Sequence, residues 1–458
     1  MTPPAAVHDT PPDPNGVVVG IDVGTSGARA VALGEAGTPF AWAETRMPAP
    51  KTNGSEVRQD PEIWWQALWA VLVDLTPRLQ GQPVRRLAID GTSGSVLACD
   101  PEGHAKGPAA LYNDRGATEA AARIAGAAPD ETAARGATSS LAKWLGYFAP
   151  GASYGLRPLH PADWLTGRLI GRFDRMDENN ALKLGYDPVA RRWPSWLRSL
   201  GITGDRLVKV VEPGTPLGPM ATRWVVALGW PDIPTVVAGT TDSTAAFLAT
   251  GCCQPGDGMT SLGTTLVVKL LTPKPAFEAA SGVYSHRVGP LWITGGASNS
   301  GGGVLQRFFT RDELTTLSAS IDPERSSGLD YYPLNEPGER FPVADPELAP
   351  RLEPRPADRV TFLHGLLEGM ATIEACGYAR LQALGETTVS AVHTVGGGAD
   401  NRVWTALRAR ALGVPVTPAK QREAAVGTAL LARNGPPSHW LNETDATPRA
   451  TSPTPPTH

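Results

Sequence analysis

The chain has 458 residues, of which 41% are hydrophobic and 19% charged, with a formal net charge of −4. That length divides into two or three domains, and the slightly acidic balance excludes the basic stripe of a nucleic-acid binder and any strong attraction to an anionic membrane surface. Cys99, Cys252, Cys253 and Cys376 form no C-x-x-C pair, which excludes a disulfide framework and a zinc site and fits a reducing cytoplasm.

Residues 1–15 are Pro-rich and lack the apolar core of a secretory signal, so they read as a disordered N-terminus. The run Val17-Val18-Val19 predicts a strand that enters the turn Gly20-Ile21-Asp22-Val23-Gly24-Thr25-Ser26, with further strands from Ala28 and over Ala41–Thr45. A helix starts at Pro61-Glu62 and carries Ile63, Trp64, Leu68, Val71 and Leu72 at helical spacing. A strand over Leu87–Asp90 feeds the hydroxyl-rich turn Gly91-Thr92-Ser93-Gly94-Ser95. The insertion from Pro108 to Trp230 reads as an outer lobe with short helices. A strand over Thr235–Gly239 then runs into Thr240-Thr241-Asp242-Ser243-Thr244 and an apolar helix.

Gly, Pro and Asp cluster at 251–258 and mark a domain boundary. Beyond it, Thr260-Ser261-Leu262-Gly263-Thr264-Thr265 repeats the strand–turn–strand pattern, and strands follow over Leu266–Leu270 and Leu291–Thr294. Gly295 to Gly303 reads as a glycine turn on the nucleotide side, opening the apolar helix Val304–Phe309. The Pro-rich excursion 328–356 has no evident role. A helix over Phe362–Leu384, a strand over Ala391–Val395, the turn Gly396-Gly397-Gly398, a helix from Arg402, a strand over Val414–Thr417 and a last helix with Glu423–Ala429 complete the pattern. Residues 434–458 are rich in Pro, Thr and Ser and read as a disordered tail. No apolar run approaches the ~20 residues needed to cross a bilayer.

The two Gly-Thr turns carry the chemistry. Glycine lets backbone approach a polyanion, threonine hydroxyls and turn N–H groups donate to its oxygens, and Asp22 is placed to hold a hydrated metal. Two such turns, one per half, predict a duplicated fold that grips a nucleotide triphosphate from both sides. Asp242 stands at the start of a helix, where an N-cap carboxylate and a catalytic base are both possible. Asp90 is equally readable as a plain turn residue. No G-x-x-x-x-G-K-[ST], H-E-x-x-H or G-x-S-x-G is present, and the histidines show no metal spacing.

Over roughly 16–433 these ordered motifs resemble the FGGY carbohydrate kinases, relatives of actin and the heat-shock ATPases. The resemblance implies an α/β fold of two RNase H-like domains: a sugar-binding domain over 16–251, a nucleotide-binding domain over 258–433, and a cleft between them. It implies ATP and Mg²⁺, with Asp22 holding the metal through water. Asp22, Gly24, Thr25, Ser26, Gly263, Thr264, Gly303, Gly397, Gly398 and Asn401 would face the nucleotide. Ser93, Asp90 and Asp242 would face the sugar, and Asp242 would be the general base. Thr92-Ser93 stands where xylulokinases carry Gln-Met-His. This stretch, with Leu111–Asp114, Thr138–Lys143 and Asp177–Asp187, is similar to the plant and cyanobacterial D-ribulose kinase branch, which implies D-ribulose as acceptor. Asp114-Arg115 departs from the family's Asp-x-Arg order, so no sugar contact passes to Arg115. D-xylulose, or on the same fold an actin-like ATPase switch or filament, are the alternatives. The partners expected are the sugar and ATP alone, in a monomer or homodimer.

Overall fold

The computed structural model describes residues 16–148 and 155–441. The expected disordered N-terminus, and 442–458 of the expected tail, lie outside the described residues. Residues 434–441 are ordered, contrary to expectation. A single helical turn at Pro437–His439 brings the Ser438 N–H and hydroxyl to the Glu212 carboxylate at 2.7 and 2.9 Å, and Leu441 is buried. Proline and serine content signals disorder only where no apolar anchor follows.

The chain builds two mixed sheets on one plan. In the first half, β1 (Val17–Val23), β2 (Gly27–Leu33) and β3 (Pro39–Arg46) form an antiparallel meander. Helix α1 (Pro61–Leu75) crosses over to β4 (Val84–Gly91), which lies parallel to β1. After the lobe, β5 (Pro216–Pro219) and β6 (Thr235–Val237) complete the order β5-β6-β4-β1-β2-β3, with β6 parallel to β4. Helix α2 (Asp242–Ala249) then leads out.

The second half repeats this. Strands β7 (Asp257–Leu262), β8 (Leu266–Thr272), β9 (Tyr284–Val288) and β10 (Leu291–Ser298) pair antiparallel in the order β9-β10-β8-β7. Helix α3 (Arg359–Gly385) crosses to β11 (Ala391–Val395), parallel to β7, and α4 (Arg402–Leu412) to β12 (Val416–Pro418), parallel to β11. Strand β1 is apolar almost throughout because helices cover both of its faces.

The last helix, α5 (Ala424–Asn434), follows the second sheet in sequence but packs on the first. Ala425, Val426 and Ala429 bury against Val31, Leu33 and Ala249. Glycine makes the approach possible: a Cβ on Gly20 would lie 2.1 Å from the Ala425 carbonyl oxygen, and one on Gly427 1.8 Å from that of Ala245. The pair α2–α5 therefore ties the two sheets together at the level of the strand ends. Among the described residues no helix is long and apolar enough to cross a membrane.

Candidate active site

The loops at the ends of β1, β4, β6 and β7 converge. Register places Asp22 directly beside Asp90 on parallel strands, and a bridge between Gly91 and Thr241 draws the 91–95 turn to the start of α2. Asp242 sits there. Its Oδ1 accepts from its neighbour Ser243 N–H at 2.7 Å and, more weakly, from Ser93 N–H at 3.4 Å. The helix is capped by Thr241, whose hydroxyl accepts from Thr244 N–H. Asp242 is thus the first helical residue and free of capping duty.

Three carboxylates meet at this point. Burial pushes Asp22 up to about 6, against the opposing effect of its hydrogen bond with Asp90. Asp90 is buried completely and held well above the ordinary aspartate range, chiefly by desolvation and then by the charge of Asp22. Desolvation also raises Asp242, opposed by the Ser243 and Ser93 N–H groups and by Lys269. Asp90 Oδ2 accepts from the Thr428 hydroxyl of α5. This differs from the expected sugar-facing role: the parallel register that pairs β4 with β1 turns Asp90 toward Asp22. Thr428 was missed by sequence reasoning; only its position inside the family-like Glu423–Ala429 stretch marked it.

The Ser93 hydroxyl is buried with no hydrogen-bond partner. Its turn is held from behind. Fully buried Lys143 donates to the Gly94 and Tyr112 carbonyls at 2.9 and 3.2 Å, and Tyr112 N–H donates to Ser95 Oγ at 3.1 Å. Burial pulls Lys143 down to about 7, against the opposing charge of Asp114. Further back, Asp177 caps the turn at Asn179 and Asn180, and Asn179 Nδ2 bonds Thr240 Oγ1 at 3.1 Å. Residues 138–143 and 177–187 are therefore a scaffold for the Ser93 and Thr240–Asp242 loops.

The two hairpin turns face the site from opposite sheets. Gly24 N–H closes on the Gly27 carbonyl at 3.0 Å, and among the described residues the Thr25, Ser26 and Thr264 hydroxyls bond no protein group. Gly263 and Thr264 are exposed. The Gly301–Gly303 stretch braces their turn: Gly302 N–H donates to the Gly263 carbonyl at 2.9 Å and Gly303 N–H to that of Thr264 at 3.0 Å. Gly303 thus spends its N–H on the turn and not on a ligand. Gly295 to Ser298 are strand β10, and the helix that follows spans only Gly302–Leu305, so the expected glycine turn shrinks to 299–301. Pairing with β8 extends the strand through glycines that sequence alone reads as loop.

At the end of β11, Gly397 faces open space, as a flat ligand requires, whereas a Cβ on Gly398 would strike Trp404 and Leu262. Gly398 serves packing. Asn401 caps α4 through Trp404 N–H at 3.0 Å and donates to Ser318 Oγ at 2.9 Å, which occupies its amide.

Hydrated Mg²⁺ fits this donor set. Asp22 offers one carboxylate at the mouth of a turn rich in free hydroxyls, and Mg²⁺ usually keeps several waters and takes few carboxylates. Among the described residues no cage of three or more His, Cys, Asp or Glu ligands exists.

The FGGY family of carbohydrate kinases matches the chain twice, its N-terminal domain over residues 17–249 and its C-terminal domain over 258–433. The xylulose kinase of Escherichia coli K12 is 24% identical over 410 residues, covering 84% of this chain and 83% of its own. That of Bacillus subtilis 168 is 23% identical over 446 residues, covering 93% and 89%. A ligand-bound xylulose kinase from Lactobacillus acidophilus superposes with a TM-score of 0.80 over 91% of this chain and 89% of its own, at 17% identity.

Proposed function

Because this chain belongs to the FGGY family of carbohydrate kinases, and so is an ATP-dependent phosphotransferase with a sugar acceptor, we propose that it phosphorylates a ketopentose and that D-xylulose is preferred. The xylulose kinases that align with most of the chain support this sugar over D-ribulose. Of the segments that favoured the D-ribulose branch, 139–143 and 177–182 are buried scaffold, and buried scaffold does not read the configuration of a sugar hydroxyl.

One observation carries the chemistry: the Asp242 carboxylate, free of capping duty, lies beside the buried and unpartnered Ser93 hydroxyl. Ser93 and its N–H orient the acceptor. Asp242 takes the proton of the terminal hydroxyl as that oxygen bonds the γ-phosphorus and the bridge to the β-phosphate breaks. Thr25, Thr264 and the turn N–H groups stabilise the transferring group. Asp22 would hold hydrated Mg²⁺, which would supply charge neutralisation at the phosphates.

The test is an ATP-consumption assay across D-xylulose, D-ribulose, glycerol, aldoses and water. D-xylulose should give the highest kcat/KM. A higher value for D-ribulose restores the ribulokinase reading, and a preference for glycerol or an aldose ends the ketopentose assignment.

A further inference from the structure

The Pro-rich excursion 328–356 takes no part in the chemistry, yet it grips the back of the Gly263–Thr264 turn. Its Glu339 is 3% exposed and engages both carboxylate oxygens. Oε2 accepts from the Ser298 and Tyr332 hydroxyls at 2.5 and 3.2 Å, and Oε1 from the Asn299 and Arg340 N–H groups at 2.7 and 2.9 Å. The Asn299 side-chain amide donates in return to the Gly338 carbonyl at 3.0 Å. Glu339 is itself held firmly, because its second neighbour Phe341 is wedged into the core. A Cβ on Gly296 of β10 would lie 2.6 Å from the buried Phe341 ring, and one on Gly377 of α3 2.9 Å from it.

The corner that Glu339 grips passes the constraint to the turn. Ser298 Oγ accepts from Ser300 N–H at 3.0 Å, and the Ser300 carbonyl accepts at 2.8 Å from the N–H of Leu266, where β8 leaves the turn. Gly302 and Gly303 donate to the Gly263 and Thr264 carbonyls. At Gly301, with φ at +141°, a Cβ would lie 2.8 Å from the Thr264 carbonyl oxygen. These contacts are all made by the main chain, and three of the five residues 299–303 are glycine. Glycine has the most conformational freedom to lose on ordering, so such a corner needs an anchor from outside. A carboxylate serves, since hydrogen bonds to an ionised acceptor are about twice as strong as neutral ones.

We propose that the excursion is the clamp that sets the phosphate turn, with Glu339 as its positioning residue. Through the corner 298–303 it holds Gly263 and Thr264 at the spacing that the β- and γ-phosphates of the nucleotide require. The inference rests on the reading of Thr264 as a phosphate contact. Glu339 acts at one remove from the ligand, because both of its oxygens are occupied by the protein.

Calorimetric titration of the full chain with the nonhydrolysable triphosphate AMP-PNP and with AMP, which lacks the two phosphates concerned, tests this. Glu339→Ala should weaken AMP-PNP binding about tenfold or more, as misplaced donors do, and leave AMP binding nearly unchanged. Glu339→Gln keeps an acceptor for the Asn299 N–H and should recover most of the loss. Asn299→Ala removes the second tie from an exposed side chain, which keeps the variant folded, and should weaken AMP-PNP about 2–10-fold, the worth of one neutral hydrogen bond. If Glu339→Ala fails to fold, Asn299→Ala decides alone. AMP-PNP binding unchanged in these variants, an equal loss for AMP, or a Gln variant no better than the Ala variant overturns the clamp. Thr264→Val, titrated in parallel, separates the two failures. A loss there with none at Glu339 or Asn299 removes the clamp and leaves the phosphate turn standing, whereas normal AMP-PNP binding by Thr264→Val overturns the phosphate contact and the clamp with it.

Discussion

Asp242 and Ser93 divide the work at the acceptor hydroxyl, and their geometry separates chemistry from folding. Thr241 caps the helix, so Asp242→Asn should leave the melting temperature almost unchanged. It should cost about 10²–10⁴ in kcat, the usual worth of a positioned base. Normal turnover in the folded variant would remove Asp242 from the mechanism. Desolvation raises the Asp242 carboxyl. The base works deprotonated, so kcat should fall as pH drops through a value above that of an ordinary aspartate. The Ser93 hydroxyl has no protein partner to lose. Ser93→Ala should therefore raise the sugar KM by about 2–10-fold, the worth of one neutral hydrogen bond, with ATP KM unchanged in steady-state kinetics. Equal losses for both substrates would point to a deformed turn.

At the scale of elements, the contact between α2 and α5 sets the site. It holds Asp242 at the head of one helix and Thr428, the donor to Asp90, on the other. The close approach depends on Gly427, where a Cβ would overlap the Ala245 carbonyl. Gly427→Ala should separate the helices and destabilise the protein by ~1–3 kcal/mol, the range for overpacking. Denaturant unfolding measures it, and an unchanged midpoint would refute the contact. Thr428→Val is subtler. It strips Asp90 of its donor in a fully buried setting, which costs ~1–3 kcal/mol. Because the Thr428 hydroxyl acts on Asp90, and Asp90 and Asp22 act on each other, the variant should also shift the pH dependence of ATP KM, which a merely structural threonine would not do.

At the scale of the whole molecule, buried acids set the pH response. Asp163 is pushed up to about 8 by burial, with its Oδ1 accepting from Asp177 N–H at 3.2 Å and its Oδ2 without a hydrogen-bond partner. Burial likewise raises Glu178 to about 7, against the opposing charge of its ion-pair partner Arg191. A raised folded-state pKa means that the folded protein binds more protons than the unfolded chain across the interval between the two values. Stability then falls as pH rises through that interval, from about 4 to about 8 for Asp163. Asp163→Asn retains the acceptor to Asp177 and removes the ionisation. It should raise the melting temperature more at pH 8 than at pH 5.5; a gain independent of pH would show that Asp163 is not the group responsible.

Strand–turn–strand signals at Gly24 and Gly263, helical spacing in α1 and α3, and the order of glycine motifs were enough to foresee two halves of one plan. These are local signals, written in a few consecutive residues. The sequence alone also marked Asp242, because its neighbours alternate from apolar strand to hydroxyl-rich turn to apolar helix. Register and long-range packing decided the rest. Asp90 turns to Asp22 because β4 lies parallel to β1, Gly303 and Asn401 have their polar groups claimed by neighbours, and α5 crosses back to the first sheet to supply Thr428. Lys143 and Lys269 sit unremarkably in their own segments. Only folding buries them, and burial is a property of the assembled fold that no run of neighbouring residues encodes.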